Sequence, residues 1–582
     1  MKQFSPILCA CVLATVLSAA ASAEVRLKDK WVYVSTNLLV QKNVDQFIAL
    51  MEHSKKAGYT GILLADYKFG VLDRQDERYF TNARRAIASA RELDIELIPA
   101  VFPIGYASAI LAHDPNLIEG LPVVDAPLEA RGGKLVPLMP EGTKLASGDF
   151  EELDSRGGFA GWWQENIGRS VFADRDVVRH GQVSVRMQDI ARQDPRYGHC
   201  RLHQLVKTEP FKVYHLGVWI KTEDFDAPGA VRLQVLAKKP ETLTYQDLDI
   251  KRTQDWTHYD VVFNSLENAE ARIYCGVWGG KSGKLWWDDL VMEPGGFVNV
   301  IRRDACPVKL TSADGPSPAE AGASARVGGK TTYLEGRDFS RIVDPKLGNE
   351  RYPGTFAAWH TPPEVTVPAD SRIREGQRVL ASYFHPMIVG DSQVTSSLLD
   401  PKVYTLLEDE FTRVHRLFQA KRYMMSHDEI RVGGWTPDYA GKTMGEVLAM
   451  NVRKCCEIIR KHAPQARICV WSDMFDPNHN ARADYYLVKT TWAGSWEGLP
   501  KDTVLVDWYA GVAPKTLAFF HSRGHEQILA GYYDGNVEAN VKTWMDSAKA
   551  SPARVTGIIY TTWRSDYANL EKFIEEVRKY ER

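Results

Sequence analysis

Short, nearly continuous apolar runs alternate with longer segments of helical spacing over residues 28–105. "KWVYVST" (30–36), "GILLADY" (61–67) and "IELIPAVFP" (95–103) read as strands. "NVDQFIALMEHSKKAGY" (43–59) and "RYFTNARRAIASARELD" (78–94) repeat apolar residues every three or four positions, as amphipathic helices do. Strands buried on both faces and joined by such helices are the mark of parallel βαβ units. The rhythm then stops. From about 145 to 296 short alternating segments such as "YHLGVWIKT", "VRLQVLAKK" and "ARIYCGVW" follow one another without a long helix, which predicts an antiparallel β-sandwich. Residues 297–385 continue as irregular β-like segments rich in Pro and Gly.

From about 400 the alternation resumes. Helices are expected at 401–419, 443–462, near 515–523, near 537–549 and at 567–580, between strands in "KRYMMS", "ARICVWSDM", "TVLVDWY", "EQILAGYYD" and "VTGIIYTTW". Three strands before the interruption and five after it make a (β/α)8 barrel, an α/β TIM barrel split after its third strand by a jelly-roll-like sandwich and a β-rich linker region. The expected boundaries are a signal peptide at 1–23, the first part of the barrel at 24–140, the sandwich at 141–296, the linker domain at 297–390 and the second part of the barrel at 391–582.

Composition narrows the class of function. Lys2, the apolar "PILCACVLATVL" and the small residues Ala21-Ser22-Ala23 read as a cleavable leader, so a periplasmic or secreted protein is expected. The chain has 72 Lys and Arg against 74 Asp and Glu, a near balance that gives no reason to expect nucleic acid or membrane as partner. The six cysteines beyond the leader are too scattered for a disulfide scaffold or a zinc site, although Cys200 and Cys275 could pair. Sixteen Trp and 24 Tyr supply flat apolar rings with polar edges, which suit sugars as well as large cores. No cofactor and no metal are expected.

Barrel enzymes work at the C-terminal ends of their strands. Those ends carry Asp66 and Tyr67; Phe102 and Pro103; His427, Asp428 and Glu429, followed by Arg431; Trp471 and Asp473; Asp507, Trp508 and Tyr509; Tyr532, Tyr533 and Asp534; and Trp563, Arg564 and Asp566. Carboxylates and large aromatics on one rim suit an oligo- or polysaccharide. Asp428 and Glu429 are the expected catalytic pair, since repulsion and burial can leave one protonated and the other charged. His427, Arg431, Trp471, Asp473, Trp508, Tyr532, Tyr533, Asp534 and Trp563 are the expected substrate-binding residues.

An Asp-Glu pair ending the fourth strand, with Trp, Tyr and Trp at later strand ends, resembles the glycoside hydrolase family 20 β-N-acetylhexosaminidases over residues 28–105 and 400–582. The resemblance implies that Glu429 is the general acid/base and that Asp428 orients the substrate's 2-acetamido group, whose oxygen attacks. It further implies that Trp508 and Trp563 wall the acetamido pocket and that Tyr532 or Tyr533 hydrogen-bonds its oxygen. The chain departs from that family in three places. "SHDE" replaces the spacing His-x-Gly-x-Asp-Glu, the first strand lacks a sugar-holding Arg, and "TTWRSD" puts Arg564 and Asp566 where an acidic ligand follows the Trp. "SGDFEE" and "LWWDDLVME" resemble, more loosely, the jelly roll of carbohydrate-binding modules.

Competing readings differ in chemistry. Asp428 and Glu429 could form a structural salt-bridge cluster with Arg431, and His427 could be a core histidine. A carboxylate nucleophile would come from Asp473, Asp507 or Asp534. A metal-dependent hydrolase would use His427, Asp473 and His479, but "DMFDPNHN" lacks metal-ligand spacing and reads as a capped loop. A retired barrel would bind glycan without cleaving it.

Overall fold

The computed structural model describes residues 27–238, 241–244, 246–313, 330–390 and 393–581; the expected leader lies outside them. Eight parallel strands close a barrel in chain order: β1 (Asp29–Ser35), β2 (Gly61–Ala65), β3 (Glu96–Val101), β4 (Arg422–Met425), β5 (Arg467–Trp471), β6 (Val504–Asp507), β7 (Glu526–Tyr532) and β8 (Arg554–Thr561). The α/β TIM barrel interrupted after its third strand is therefore the fold, with antiparallel sheets in the interruption.

Each strand serves two cores because its side chains alternate. Trp31, Leu63, Ile98, Met424, Val504, Val506, Ile528 and Ile559 fill the barrel interior. Val32, Ile62, Leu64, Val101, Met425, Leu505 and Ile558 face outward into the layer of helices. Seven long helices supply that layer: α1 (Gln41–Ala57), α2 (Glu77–Glu92), α3 (Pro401–Phe418), α4 (Met444–His462), α5 (Ala513–Ser522), α6 (Val537–Ala550) and α7 (Leu570–Tyr580). Their starts are set by short polar side chains. Asp76 accepts from two backbone amides of α2, Asp400 precedes Pro401 at α3, and Thr443 with Glu446 forms a reciprocal capping box at α4. Between β5 and β6 no long helix forms. That crossover runs through the short 3-10 turns Asp473–Phe475 and Ser495–Gly498 and carries the strand Leu487–Val488, which pairs with Val432–Gly433 after β4.

Among the described residues the interruption contains three sheets. Strands 254–264, 213–223, 284–294, 184–187 and 171–174 make one face of a sandwich, and strands 231–237, 270–278, 199–207 and 163–164 the other. Leu216, Val218, Ile220, Trp287, Leu202, Ile273 and Val277 fill the space between them. Cys200 and Cys275 both lie buried as free thiols, and the register pairs Cys200 with Val277 and Cys275 with Leu202, not with each other. The third sheet draws on both sides of the sandwich, joining 121–131 and 134–137 to 309–312, 332–333 and 378–385.

The outgoing and returning chains are clasped together at the barrel mouth. Ala107 N–H donates to Val394 O (2.8 Å), Glu119 N–H to Thr395 O (2.8 Å) and Ser396 N–H to Ile104 O (3.2 Å). Met424 is fully buried inside the barrel, next to the strand end that carries the acidic pair. Met424→Ala is expected to cost about 2–5 kcal/mol, seen as a shift of the barrel's unfolding transition in a urea titration followed by tryptophan fluorescence.

Candidate active site

A cavity of ≈ 580 Å³ opens at the C-terminal mouth of the barrel, and the ends of β1, β2, β3, β4, β5, β6 and β8 all reach it. Its acidic wall is the segment after β4. Ser426 still donates to Val101 O (2.8 Å), but the chain then leaves the sheet. Glu429 adopts a left-handed backbone (φ +51°), a conformation that costs a residue other than Gly about 1 kcal/mol or more. Two contacts hold it there. Its own amide donates to Asp473 Oδ2 at 3.0 Å. Gly105 packs so closely against the segment that a Cβ would lie 2.2 Å from Asp428 O, so only glycine fits.

The two carboxyls of the pair have different surroundings. Asp428 lines the cavity, and burial pushes its pKa well above the usual carboxylate range, helped by the charges of Asp473 and Glu429. Glu429 is held by donors. Its Oε2 receives the Tyr106 hydroxyl and Arg431 Nη2, the latter at 2.8 Å. Arg431 is itself buried, with its guanidinium 5.0 Å from the Tyr486 ring and 5.9 Å from the Tyr106 ring. Gln393 meets the Tyr106 hydroxyl at 2.7 Å and, with its amide oxygen toward Arg431, accepts from Arg431 Nη2 at 2.6 Å. The salt bridge with Arg431 is thus present, and it is built into the cavity wall.

Aromatic rings form the opposite rim. Tyr33 at the end of β1 contacts Trp471 (6.3 Å between ring centres) and Trp563 (5.3 Å); Trp563 stacks on Tyr533 (6.2 Å, 24°), which contacts Trp508 (6.2 Å). Trp563 is 56% exposed and Tyr67 45%, leaving broad apolar faces open at the entrance.

The remaining sequence-expected residues act at one remove from the cavity or away from it. Trp471, Trp508 and Trp563 line it; His427, Arg431, Asp473, Tyr532, Tyr533 and Asp534 are not among its lining residues. His427 is fully buried, paired with Asn451 (3.0 Å), and burial pushes its pKa down to about 4, so it is neutral. Asp473 supports the Glu429 amide and accepts from Asn480 Nδ2 (2.9 Å); burial pushes it up to about 6. Tyr532, Tyr533 and Asp534 all have positive φ, so strand alternation ends there. The Tyr532 hydroxyl is spent on Asp566 (3.0 Å) and that of Tyr533 on Ala530 O (2.6 Å). Asp534 accepts from the amides of Trp563 (2.8 Å) and Arg564 (3.2 Å) and so fixes the tryptophan at the rim. Asp507 is fully buried. Asp476 caps its own loop through Asn478 N (2.8 Å), and among the described residues no group of three His, Cys, Asp or Glu is placed to hold a metal ion.

Four lining or supporting residues were not singled out from the sequence. Tyr106 and Gln393 lie on irregular chain at the two ends of the interruption. Tyr33 is the inward aromatic of "WVYVST". Glu410, on α3, is buried, accepts from Phe102 N–H (3.2 Å) and has its pKa pushed up to about 8 by burial. Its signal was a lone acid on the apolar stripe of a helix.

No protein-family model matches the chain, and no curated protein matches it. Solved structures give distant similarity to glycoside hydrolases and carbohydrate-binding modules. A rhamnosidase from Novosphingobium sp. PP1Y is 11% identical, covering 95% of this chain and 59% of its own, with a TM-score of 0.32. The CBM22-1–GH10 modules of Clostridium thermocellum endo-1,4-β-D-xylanase 10B, complexed with xylohexaose, are 10% identical over 74% of this chain and 96% of that one, with a TM-score of 0.22. The module TmCBM61, in complex with β-1,4-galactotriose, is 18% identical over 26% of this chain and 98% of its own, with a TM-score of 0.21. At these scores the likeness says nothing about what this cavity accepts.

Gly105→Ala tests how tightly the wall is built. The added methyl displaces the Asp428–Glu429 backbone, so whatever the cavity binds or turns over is expected to be lost by at least about 10²-fold, while circular dichroism in the far ultraviolet stays that of the wild type.

Proposed function

We propose that this cavity belongs to a glycoside hydrolase in which Asp428 holds the proton and Glu429 the negative charge. The observation that carries the reading is the contrast between two adjacent carboxyls on one wall. Glycosidic cleavage needs an acid to protonate the leaving oxygen and an anion to meet positive charge at the anomeric carbon. Asp428, buried beside like charges, supplies the first. Glu429, receiving Arg431 and Tyr106, is bonded as an anion is. Trp471, Trp508 and Trp563 give the sugar ring apolar faces to lie against.

A β-linked N-acetylhexosamine, attacked by its own acetamido oxygen, is the substrate class that the family 20 resemblance supports. That family would give the proton to Glu429 and acetamido orientation to Asp428, whereas the environments here favour the reverse. A second reading, with Glu429 itself as nucleophile on a sugar lacking the acetamido group, is favoured by its fixed charge at the wall. Asp473, Asp507 and Asp534 do not line the cavity and are the weaker candidates for that role. The enzyme would act on an oligo- or polysaccharide outside the cytoplasm, following the leader expected over residues 1–23.

Aryl β-GlcNAc, β-GalNAc and their non-acetamido counterparts distinguish these readings. Asp428→Asn and Glu429→Gln are each expected to lower turnover by at least about 10²-fold. Turnover confined to acetamido sugars supports substrate assistance; turnover of the others moves the attack to Glu429. Silence across the panel counts against hydrolysis of simple β-glycosides and favours a glycan-binding barrel.

The pH profile assigns the proton. An acid works below its pKa, so wild-type activity should fall as pH rises through a value well above the usual carboxylate range. Removing the Glu429 charge removes one cause of the raised Asp428 pKa, so in Glu429→Gln this alkaline limb should move to lower pH. If the limb instead disappears in Glu429→Gln and persists in Asp428→Asn, Glu429 is the acid.

A further inference from the structure

The outward face of the four-stranded sandwich sheet departs from the polar pattern that water imposes on such a surface. Its inward residues, Cys200, Leu202, Val206, Val231, Leu233, Val235, Ile273, Cys275 and Val277, are buried in the sandwich core. The alternating outward positions carry rings. Register places Trp163 opposite His203, His203 opposite Tyr274 and Tyr274 opposite Gln234, so these four side chains form one row across all four strands. At the usual strand spacing the row spans roughly 14 Å. Trp163 stacks on His203 (4.7 Å, 23°), His203 contacts Tyr274 (4.6 Å) and Tyr274 contacts Trp278 (5.9 Å). Trp163 is 51% exposed and the neighbouring Leu205 47%. Contiguous exposed apolar area of this kind marks a surface that something covers. By contrast, the outward face of the five-stranded sheet is partly occupied from within the chain, where Trp359 stacks on His215 at 3.7 Å.

The rows beside the rings carry three arginines. Arg201 pairs across the sheet with Gly276, and Gly276 with Arg232; Arg272 stands between Leu205 and Leu236. A Cβ on Gly276 would meet Arg201 Cγ at 2.7 Å, so glycine there lets Arg201 lie flat across the sheet toward the Trp278 ring (5.7 Å). Arg201 is matched by Glu165 (2.5 Å) and Arg232 by Asp247 (3.5 Å). Among the described residues Arg272 has no ion-pair partner and its Nε has no hydrogen-bond partner. Burial, with the positive charges of Arg272 and Arg201, pushes the pKa of His203 down to about 4, so the ring stays neutral and can stack.

We propose that this face binds an acidic polysaccharide, with sugar rings on Trp163, Tyr274 and Trp278 and a carboxylate or sulfate on Arg272. The rings explain the apolar area, and the unmatched guanidinium explains why an anionic chain is favoured over a neutral one. The proposal does not depend on the barrel's reaction.

Native affinity electrophoresis of the full chain tests it, using gels containing polygalacturonate, a sulfated galactan, or neutral xylan. Wild type is expected to be retarded by one or both acidic polymers at low salt, less so at high salt, and more than by xylan. The two acidic gels separate carboxylate from sulfate recognition. Tyr274→Ala and Trp163→Ala should each weaken retardation at least about tenfold, and Trp163→Phe should restore most of it. Arg272→Gln should remove the preference for acidic polymer and leave any xylan retardation unchanged. Thermal unfolding of each variant separates lost binding from lost fold. Mobility unaffected by either acidic gel, equal retardation by xylan, or retardation unchanged in the aromatic variants would each overturn the proposal; unchanged mobility throughout would point to a protein partner for the face.

Discussion

The Glu429 carboxyl is held at the mouth of the barrel by a guanidinium and a hydroxyl, and the surrounding structure is organised around those contacts. An ion taken out of water is costly unless donors replace its hydration. Arg431 and Tyr106 do this for Glu429. The arrangement requires the chain to turn sharply after β4, which puts Glu429 in a left-handed conformation, demands glycine at 105 and uses Asp473 to anchor the turning amide. Asp428, next along the wall, then lies where burial, helped by the neighbouring charges, opposes its ionisation. Two like residues in succession thus have different surroundings: Glu429 meets donors, while Asp428 is buried and faces acids.

The barrel was legible because its strands are short continuous apolar runs separated by helices with clear caps, as Asp76, Asp400 and Thr443 illustrate. Asp428, Glu429 and the tryptophans could be located because they fall directly after such runs. Residues that depend on contacts between distant segments were not legible. Nothing in the irregular stretches around Tyr106 and Gln393 announces that they meet over Glu429. At the end of β7, alternation would send one tyrosine inward, but three successive positive φ angles end that rule, and both hydroxyls bond within the protein. Asp534 carried the right chemistry at the right strand end, yet its oxygens hold the backbone of Trp563 and Arg564. Position at a strand end identifies the neighbourhood of a site; the hydrogen bonds decide which residues are free to act.

The mouth is layered in consequence. Asp473 and Asp507 are fully buried; Asp428 and Glu429 line the wall; and the rings of Trp508, Tyr533, Trp563, Tyr33 and Trp471 pass from ring to ring around the rim. Low-dielectric walls of this sort strengthen every electrostatic contact within them, so the aromatic rim adds to the burial that raises the pKa of Asp428.

The clasp between the outgoing and returning chains bears on how the molecule assembles. β3 pairs with β4 through Ala100 with Met424 and Val101 with Met425, and the whole interruption lies between those partners. A flexible excursion of that length would make closing this edge slow, since the entropy of joining distant segments is lost before any strand contact repays it. Once the sandwich and the third sheet have folded, the excursion is short in space, and the bonds joining 107 to 394 and 104 to 396 deliver β4 to β3 already in register. The topology thereby turns a long connection in sequence into a short one in space, and the folded interruption acts as the spacer that sets the β3–β4 edge.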